Sequence, residues 1–411
     1  MPEQGLTRVR TFYPADPAGI VPGGVDTFIR GLIKWAPDDI AFSLVGMTTD
    51  PVARPVGQWT RCDLGRRQFD CLPVVHVADA GSRTRVPLSL RYTWGALRHR
   101  RLCREGFEVY EFHRVEPALA YLRDPRPKNA FFHTDLAVLR TEPNTDILWR
   151  YLPGAYFAVE SAVMRSLTTA WSVRRPAVAA LRERYPFIAS GIHYTPTWVD
   201  TEVFAPVAPG DRSRLRAAVE AELGLDPAAF RVVSVGRLDT SKDPELLLAT
   251  LGRLVAGGTN AEALLIGDGV LRARLEARIL AEGLGPRVRL LGLRGPHEIA
   301  RLLPAADCFA LTSVYEGMPM ALLEALAAGL PAVTTPVGEV AQVVRAGVNG
   351  EVAADRDPGT LAACLERVRR DLPGYPAGRC AASIEDFTPE RVLAPVYANY
   401  RRLGAAARER G

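Results

Sequence analysis

Short apolar runs alternate with amphipathic stretches through the second half of the chain. Arg231–Gly236 reads as a buried strand ending in glycine. Glu245–Val255 follows with Leu246, Leu247, Ala249, Leu251 and Leu254 at helical spacing. The series continues with strands at Ala263–Ile266, Val288–Leu291, Cys308–Leu311 and Pro331–Thr334. Helices are predicted between them at Leu271–Glu282, His297–Leu303 and Pro319–Ala328. Such units build a parallel, doubly wound α/β sheet with ligands at the carboxyl ends of its strands. The first half is less regular. It predicts strands at Arg8–Tyr13, Glu108–Phe112 and Asn129–Phe132, and helices at Val25–Ile33 and Ala158–Leu167. Turn-rich Tyr194–Asp200 and Pro206–Gly210 predict a linker and a domain boundary near residue 200.

With 411 residues, two domains are expected. Six scattered cysteines form no C-x-x-C pair and read as reduced thiols. Neither a secretion signal nor an apolar run of membrane-spanning length is recognisable, so a cytoplasmic protein is expected. The net charge of +5 is uneven: residues 1–200 hold 26 Lys+Arg against 20 Asp+Glu, and residues 201–411 hold 25 against 26. Within segment 83–104, Arg83, Arg85, Arg91, Arg98, Arg100, Arg101 and Arg104 meet no acid and are interleaved with Leu90, Tyr92, Trp94 and Leu97. This segment is either a peripheral contact with an anionic membrane or a solvated helix face. No nucleic-acid motif accompanies the charge, so no nucleic-acid partner is expected.

In Gly236-Arg237-Leu-Asp-Thr-Ser-Lys242 two cations follow a strand end and precede a helix, where a diphosphate can be neutralised. Lys242 is one of three lysines among 51 basic residues, which singles it out. The alternative is an ordinary surface charge pair. Further on stands Tyr315-Glu-Gly-Met-Pro-Met-Ala-Leu-Leu-Glu324. Pro319 suits a first helical turn, and Glu324 falls among leucines where a carboxylate needs a partner. Eight residues of helix span about 12 Å, roughly ribose to hexose in a nucleotide sugar. Glu316 can equally be an exposed loop acid. Asp355-Arg-Asp357 has the form of a metal motif, but Asp357-Pro358 reads as a helix cap. No G-x-G-x-x-G, G-x-S-x-G or Walker A sequence appears, which argues against dinucleotide, hydrolase and P-loop chemistry.

Taken in order, Gly236-Arg237 with Lys242, Leu265-Ile-Gly-Asp-Gly269, Leu291-Gly292, Asp307, the Glu316/Glu324 pair, Val337-Gly-Glu339 and Gly347-Val-Asn-Gly350 resemble the large bacterial family of retaining glycosyltransferases with an E-x7-E motif. The resemblance covers about residues 190–355. Gly23-Gly24, Phe112-His113-Arg114 and Phe132-His133-Thr134 extend it weakly into the first half. The linker departs from the family's Pro-Asn-Gly-Val-Asp, reading Pro196-Thr-Trp-Val-Asp200.

The resemblance implies a GT-B fold, two facing Rossmann-like domains with a cleft between them. Residues 1–200 would bind acceptor and residues 201–387 the nucleotide sugar. A helix over about 388–411 would pack back on the first domain. Arg237 and Lys242 would hold the diphosphate, Glu324 the ribose and Glu316 the transferred sugar. Gly317, Met318 and Pro319 would bring the helix start to the phosphates. Leu291 and Gly292 would lie against the base, and His133 would reach the sugar. Gly23 and Gly24 would let the backbone approach phosphate and acceptor. His113 either faces that cleft or is a satisfied strand-end histidine. Transfer would retain configuration and need no metal or other cofactor. The acceptor would be a lipid-linked or polysaccharide precursor at the inner face of the cell membrane. The rivals are a phosphorylase or sugar-nucleotide epimerase on the same scaffold, and a non-catalytic nucleotide-sugar-binding partner.

Overall fold

The computed structural model describes residues 5–19, 24–78, 86–133 and 153–409. The chain divides into two compact units, one made of residues 1–196 with 392–411, the other of residues 197–391.

The first unit contains β1 (Thr7–Phe12), α1 (Gly24–Lys34), β2 (Ile40–Thr48), β3 (Thr60–Leu64), β4 (Arg67–His76), α2 (Leu88–Arg98), β5 (Val109–Phe112), α3 (Val115–Ala118) and β6 (Lys128–Phe132). After these come α4 (Pro153–Met164), β7 (Thr169–Ser172), α5 (Arg175–Arg184) and β8 (Ile192–Tyr194). The eight strands lie in the order β3-β4-β2-β1-β5-β6-β7-β8. Only the β3–β4 hairpin is antiparallel in that sheet. Helix α1 buries Phe28, Ile29, Leu32 and Ile33, the stripe its spacing predicts. Helix α4 starts five residues before the predicted Ala158 and stops at Met164.

The second unit opens with α6 (Pro209–Leu223), so the segment read as linker at Pro206–Gly210 already enters a helix. It continues with β9 (Phe230–Val235), α7 (Pro244–Ala256), β10 (Ala261–Ile266), α8 (Arg272–Ala281), β11 (Val288–Gly292), α9 (Pro296–Leu302) and β12 (Cys308–Leu311). Next are α10 (Met320–Ala327), β13 (Ala332–Thr334), β14 (Gly350–Val352), α11 (Pro358–Arg370) and α12 (Ala377–Ala382). Its six strands are parallel in the order β11-β10-β9-β12-β13-β14. Counted from β9 this is the doubly wound 3-2-1-4-5-6 arrangement, whose switch point falls between β9 and β12. Both units are therefore Rossmann-like, as a GT-B protein requires.

The last helix, α13 (Pro389–Arg408), belongs mostly to the first unit. Leu393, Val396 and Tyr400 on it are buried. Tyr397 Oη donates to Leu32 O at 2.8 Å, and Arg401 pairs with Asp39 at 2.6 Å.

A buried ion network ties α6 to the second sheet. Arg231, without solvent exposure, pairs with Glu220 at 3.0 Å and Glu262 at 3.2 Å. Asp307 accepts from Arg231 N at 2.8 Å and pairs with Arg216 at 2.5 Å, so this residue of the family pattern serves the fold. Arg231→Met leaves buried Glu262 without its cation, while Glu220 keeps Arg216 at 2.8 Å, and is expected to cost about 3–5 kcal/mol. A denaturant titration showing a loss below about 1 kcal/mol would contradict this.

Candidate active site

At the carboxyl end of β9 the chain turns through Gly236 and Arg237, and a crevice there is lined by Ser234, Gly236, Arg237, Leu238, Lys242, Thr312 and Ser313. It sits at the switch point, where the sheet's loops diverge. Lys242 Nζ lies 2.5 Å from Glu316 Oε1, which also accepts from Ser313 Oγ at 2.7 Å. Glu316 is buried, so it is not an exposed loop acid. Arg237 is 60% exposed at its side chain and pairs with Asp239 at 2.8 Å, leaving its guanidinium at the crevice rim. Asp239 Oδ1 accepts from Ser241 Oγ (2.6 Å) and from the Lys242 amide (3.1 Å), shaping the turn that presents both cations.

Asp243 next to Lys242 holds a left-handed backbone with φ of 45°, and its carboxylate caps α7 by accepting from Leu246 N at 3.1 Å. The same carboxylate pairs with Arg356 at 2.5 Å. Arg356 in turn donates to the carbonyls of Thr312 (3.0 Å) and Ser313. Thr312 Oγ1 donates to Lys242 O at 3.1 Å. The loops after β9 and β12 are thus cross-braced, and Lys242 and Glu316 are held together from below. Asp357 caps α11 through Gly359 N at 2.8 Å and Thr360 N at 3.2 Å, which accounts for the Asp355-Arg-Asp357 sequence.

Met318 and Pro319 are buried, and Gly317 half-buried, on the approach to α10. The sequence placed Pro319 in the first turn; it stands one residue earlier, at the cap, with no side-chain hydrogen bond to the helix start. Linker residue Thr197 donates through Oγ1 to Met318 O at 3.2 Å, and neighbouring Trp198 is buried. The tryptophan that replaces the family's glycine is therefore a buried residue at the start of the second unit. Gly338, at φ of 55°, crosses this segment so closely that a Cβ would fall 2.3 Å from Gly317 O and 2.5 Å from Glu316 O. Glu324 is half-buried in α10. Burial, with a like-charge contribution from Asp200, pushes its carboxyl up to about 7. Leu291 and Gly292 end β11, where Gly292 O accepts from Gly267 N at 2.9 Å. Arg272 Nη2, at 3.4 Å from Leu290 O, is a further cation at this edge that sequence reading passed over. Its three-residue offset from Gly269 at a helix start was the available signal.

In the first unit, Gly23 lies outside the described residues, as do Arg83, Arg85 and Thr134. Gly24 opens α1, and a Cβ there would meet nothing within 4 Å, so packing does not demand glycine. The loop before it is anchored by Arg30, which donates to the carbonyls of Pro17 (2.9 Å), Asp16 (2.5 Å) and Gly19 (2.5 Å). His133 stands just past β6, with Nε2 at 2.8 Å from His113 Nδ1. His113 Nε2 lies 2.8 Å from Glu111 Oε1, so His113 is a satisfied strand-end histidine. On α2, Trp94 is 64% exposed and Leu90 and Leu97 are also exposed. No helix among the described residues is long and apolar enough to cross a membrane.

A parallel sheet of this order is that of a Rossmann-like unit, and it carries cations, a helix start and an acid at its switch point. Residues 216–373 match the family described as glycosyl transferases group 1. The chain is 32% identical over 214 residues to D-inositol 3-phosphate glycosyltransferase of Mycobacterium marinum, a match covering 50% of this chain and 43% of that protein. The chain thus spans less than half the length of the curated relatives it matches. Over whole chains, it is similar in fold to sucrose-phosphate synthase from Thermosynechococcus elongatus (TM-score 0.76, 20% identity, 97% of this chain and 100% of the other). It is also similar to Anabaena HepE in complex with UDP and glucose (TM-score 0.68, 17% identity, 96% and 99%). The fold is GT-B.

Proposed function

We propose that the chain is a retaining glycosyltransferase that moves a hexose from a nucleoside-diphosphate sugar to an acceptor, a lipid-linked or polysaccharide precursor, without a metal. One observation supports this above others: Lys242 and Glu316 in contact at the switch point, beside Arg237, in a group 1 glycosyl transferase domain. Arg237 and Lys242 neutralise the diphosphate as it departs. Gly317, Met318 and Pro319 carry the start of α10 to the phosphates. Glu316 accepts hydrogen bonds from hydroxyls of the transferred sugar and Glu324 from the ribose. Leu291 and Gly292 pack on the base. Gly24, with Gly23, admits phosphate or acceptor to the backbone, and His133 meets a hydroxyl of the transferred sugar. The HepE complex holds UDP and glucose, which favours a donor of that chemistry here.

The test is a thermal-shift screen against UDP-, GDP-, ADP- and TDP-sugars, because a ligand of the native state raises the melting point. Proton NMR then reads the anomer of sugar freshly released from the stabilising donor. Retained configuration is expected. No stabilising donor, or an inverted product, refutes the reading. Turnover that requires free phosphate points to a phosphorylase, donor conversion without acceptor to an epimerase, and binding without any turnover to a non-catalytic partner.

The two acids are expected to separate kinetically. Glu316→Gln lowers kcat, whereas Glu324→Gln raises the donor Kd. Glu324 is neutral below about pH 7 and charged above it. A charged acceptor binds hydroxyls better, so wild-type donor Kd should fall about threefold to tenfold from pH 6 to 8. The same pH dependence in Glu324→Gln would rule the assignment out.

Helix α2 supports a peripheral contact with anionic membrane at the inner face of the cell membrane, since Leu90, Trp94 and Leu97 are exposed beside Arg98. Vesicles rich in anionic lipid should pellet the wild type and lose it when Arg98, Arg100 and Arg101 are replaced together. Unchanged co-sedimentation of that variant excludes the contact.

A further inference from the structure

Four side chains form a hydrogen-bonded line inside the first unit that runs from β1 to the end of β6. Thr11 Oγ1 donates to Glu111 Oε1 at 3.0 Å. Glu111 Oε1 is 2.8 Å from His113 Nε2, and His113 Nδ1 is 2.8 Å from His133 Nε2. Aromatic rings fix the geometry. Phe131 stacks on His113 at 5.0 Å and 6°, and Phe28 meets His113 and His133 edge-on at 5.9 and 5.0 Å. Glu111 has no solvent exposure, and its Oε2 has no hydrogen-bond partner among the described residues. A sealed carboxyl with one idle oxygen weakens a strand where valine would strengthen it. Packing therefore does not account for Glu111.

We propose that Glu111 and His113 are positioning residues that decide which ring nitrogen of His133 carries its proton. Each contact along the line holds one proton. When Glu111 is charged, His113 donates to it from Nε2 and accepts at Nδ1. His133 then donates from Nε2 and leaves Nδ1 with a bare lone pair. When Glu111 takes up a proton, the acid donates to His113 Nε2, His113 donates from Nδ1, and His133 carries its own proton on Nδ1. One proton enters the line and every bond reverses. His133 Nδ1 thus offers an acceptor in one state and a donor in the other.

Burial raises the Glu111 carboxyl to about 8 and lowers His113 to about 3. His133 is held below the usual histidine range by burial and by His113. Both rings therefore stay neutral near pH 8, and the exchanging proton is that of Glu111. Below about 8 the line is in the donor state and above it in the acceptor state. Tyr13 after β1 meets His113 edge-on at 6.2 Å, and the adjoining segments carry Asp26 and Arg30 on α1, either side of Phe28, and Arg114 and Glu116 after β5. Arg30 pairs with Asp26 at 2.5 Å and Arg114 with Glu116 at 2.9 Å, so these charges largely offset one another.

The role of His133 in transfer rests on the function proposed above; the proton arrangement belongs to the free protein. It is tested on the full chain labelled with nitrogen-15 histidine, with no donor present. Two-bond proton–nitrogen spectra are recorded from about pH 6 to 10, and His133 is assigned by its loss in His133→Gln. In the wild type, His133 Nδ1 should pass from protonated to bare with a midpoint near 8. Glu111→Gln should abolish that step and hold one tautomer throughout. His113→Phe, which keeps a ring on Phe131 and cuts the line, should abolish it as well. A folded Glu111→Gln or His113→Phe protein with the wild-type step overturns the proposal, as does a wild type with one tautomer at every pH. Normal turnover in His133→Gln would instead remove its part in transfer and leave the relay standing.

Discussion

Lys242→Ala should slow sugar transfer by on the order of 100-fold or more. The leaving diphosphate gathers negative charge as the glycosidic bond breaks, and an ammonium in a water-poor crevice offsets it far better than solvent does. The deletion acts twice. Lys242 Nζ is also the partner of Glu316 Oε1 at 2.5 Å, so its removal leaves a buried carboxylate with only Ser313 Oγ among the contacts described above. Lys242→Arg should not rescue, because the flat guanidinium cannot take the compact ammonium's place against Glu316 Oε1. Steady-state rates at saturating donor decide the matter. Turnover within about threefold of wild type would overturn the diphosphate assignment.

The second large effect comes from a residue that touches no ligand in the proposed reaction. Gly338→Ala puts a methyl group 2.3 Å from Gly317 O and 2.5 Å from Glu316 O, and both neighbours are backbone. Residue 338 also sits at φ of 55°, which alanine resists. The strand-end segment that carries Glu316 must therefore move. Displacement by about 1 Å at a reacting centre can cost about 100-fold in rate, and that is the loss expected. Thermal melts should show a folded protein with its midpoint lowered by a few degrees. Full activity in a folded Gly338→Ala protein would show that Glu316 needs no such exact placement.

The second unit was legible because most of its strands are brief apolar runs, three of them closed by Gly236, Gly267 and Gly292. Cys308–Leu311 is found as predicted, Phe230–Val235 is shifted by one residue at both ends, and Val288–Gly292 runs one residue further. The first unit yielded less. Ile40–Thr48 and Arg67–His76 mix polar residues into buried strands, and no periodicity marked them. In the second unit, Gly350–Val352 was too short to stand out. The crevice residues were readable because lysine is scarce and because Glu316 and Glu324 straddle a helix start. Their mutual contact was not readable, since Lys242 and Glu316 are 74 positions apart and meet only through the β9–β12 pairing. Glu111 escaped notice for a related reason. Two positions before His113 on one strand face, it looked like an ordinary strand residue, and only folding shows that its carboxyl is sealed.

Scarcity of lysine does not by itself mark a ligand site. Lys128 is buried, and its ammonium donates to the Asp124 and Arg126 carbonyls. Rarity alone marks a residue that arginine cannot replace, not the purpose it serves.

Because α13 completes a unit that began at β1, synthesis on the ribosome delivers the parts out of order. Residues 197–391 emerge whole and can close their core while the earlier sheet still waits for Leu393, Val396 and Tyr400. A nascent chain stalled at 391 would thus carry one finished domain beside one with an open apolar flank, a natural client for a holdase chaperone.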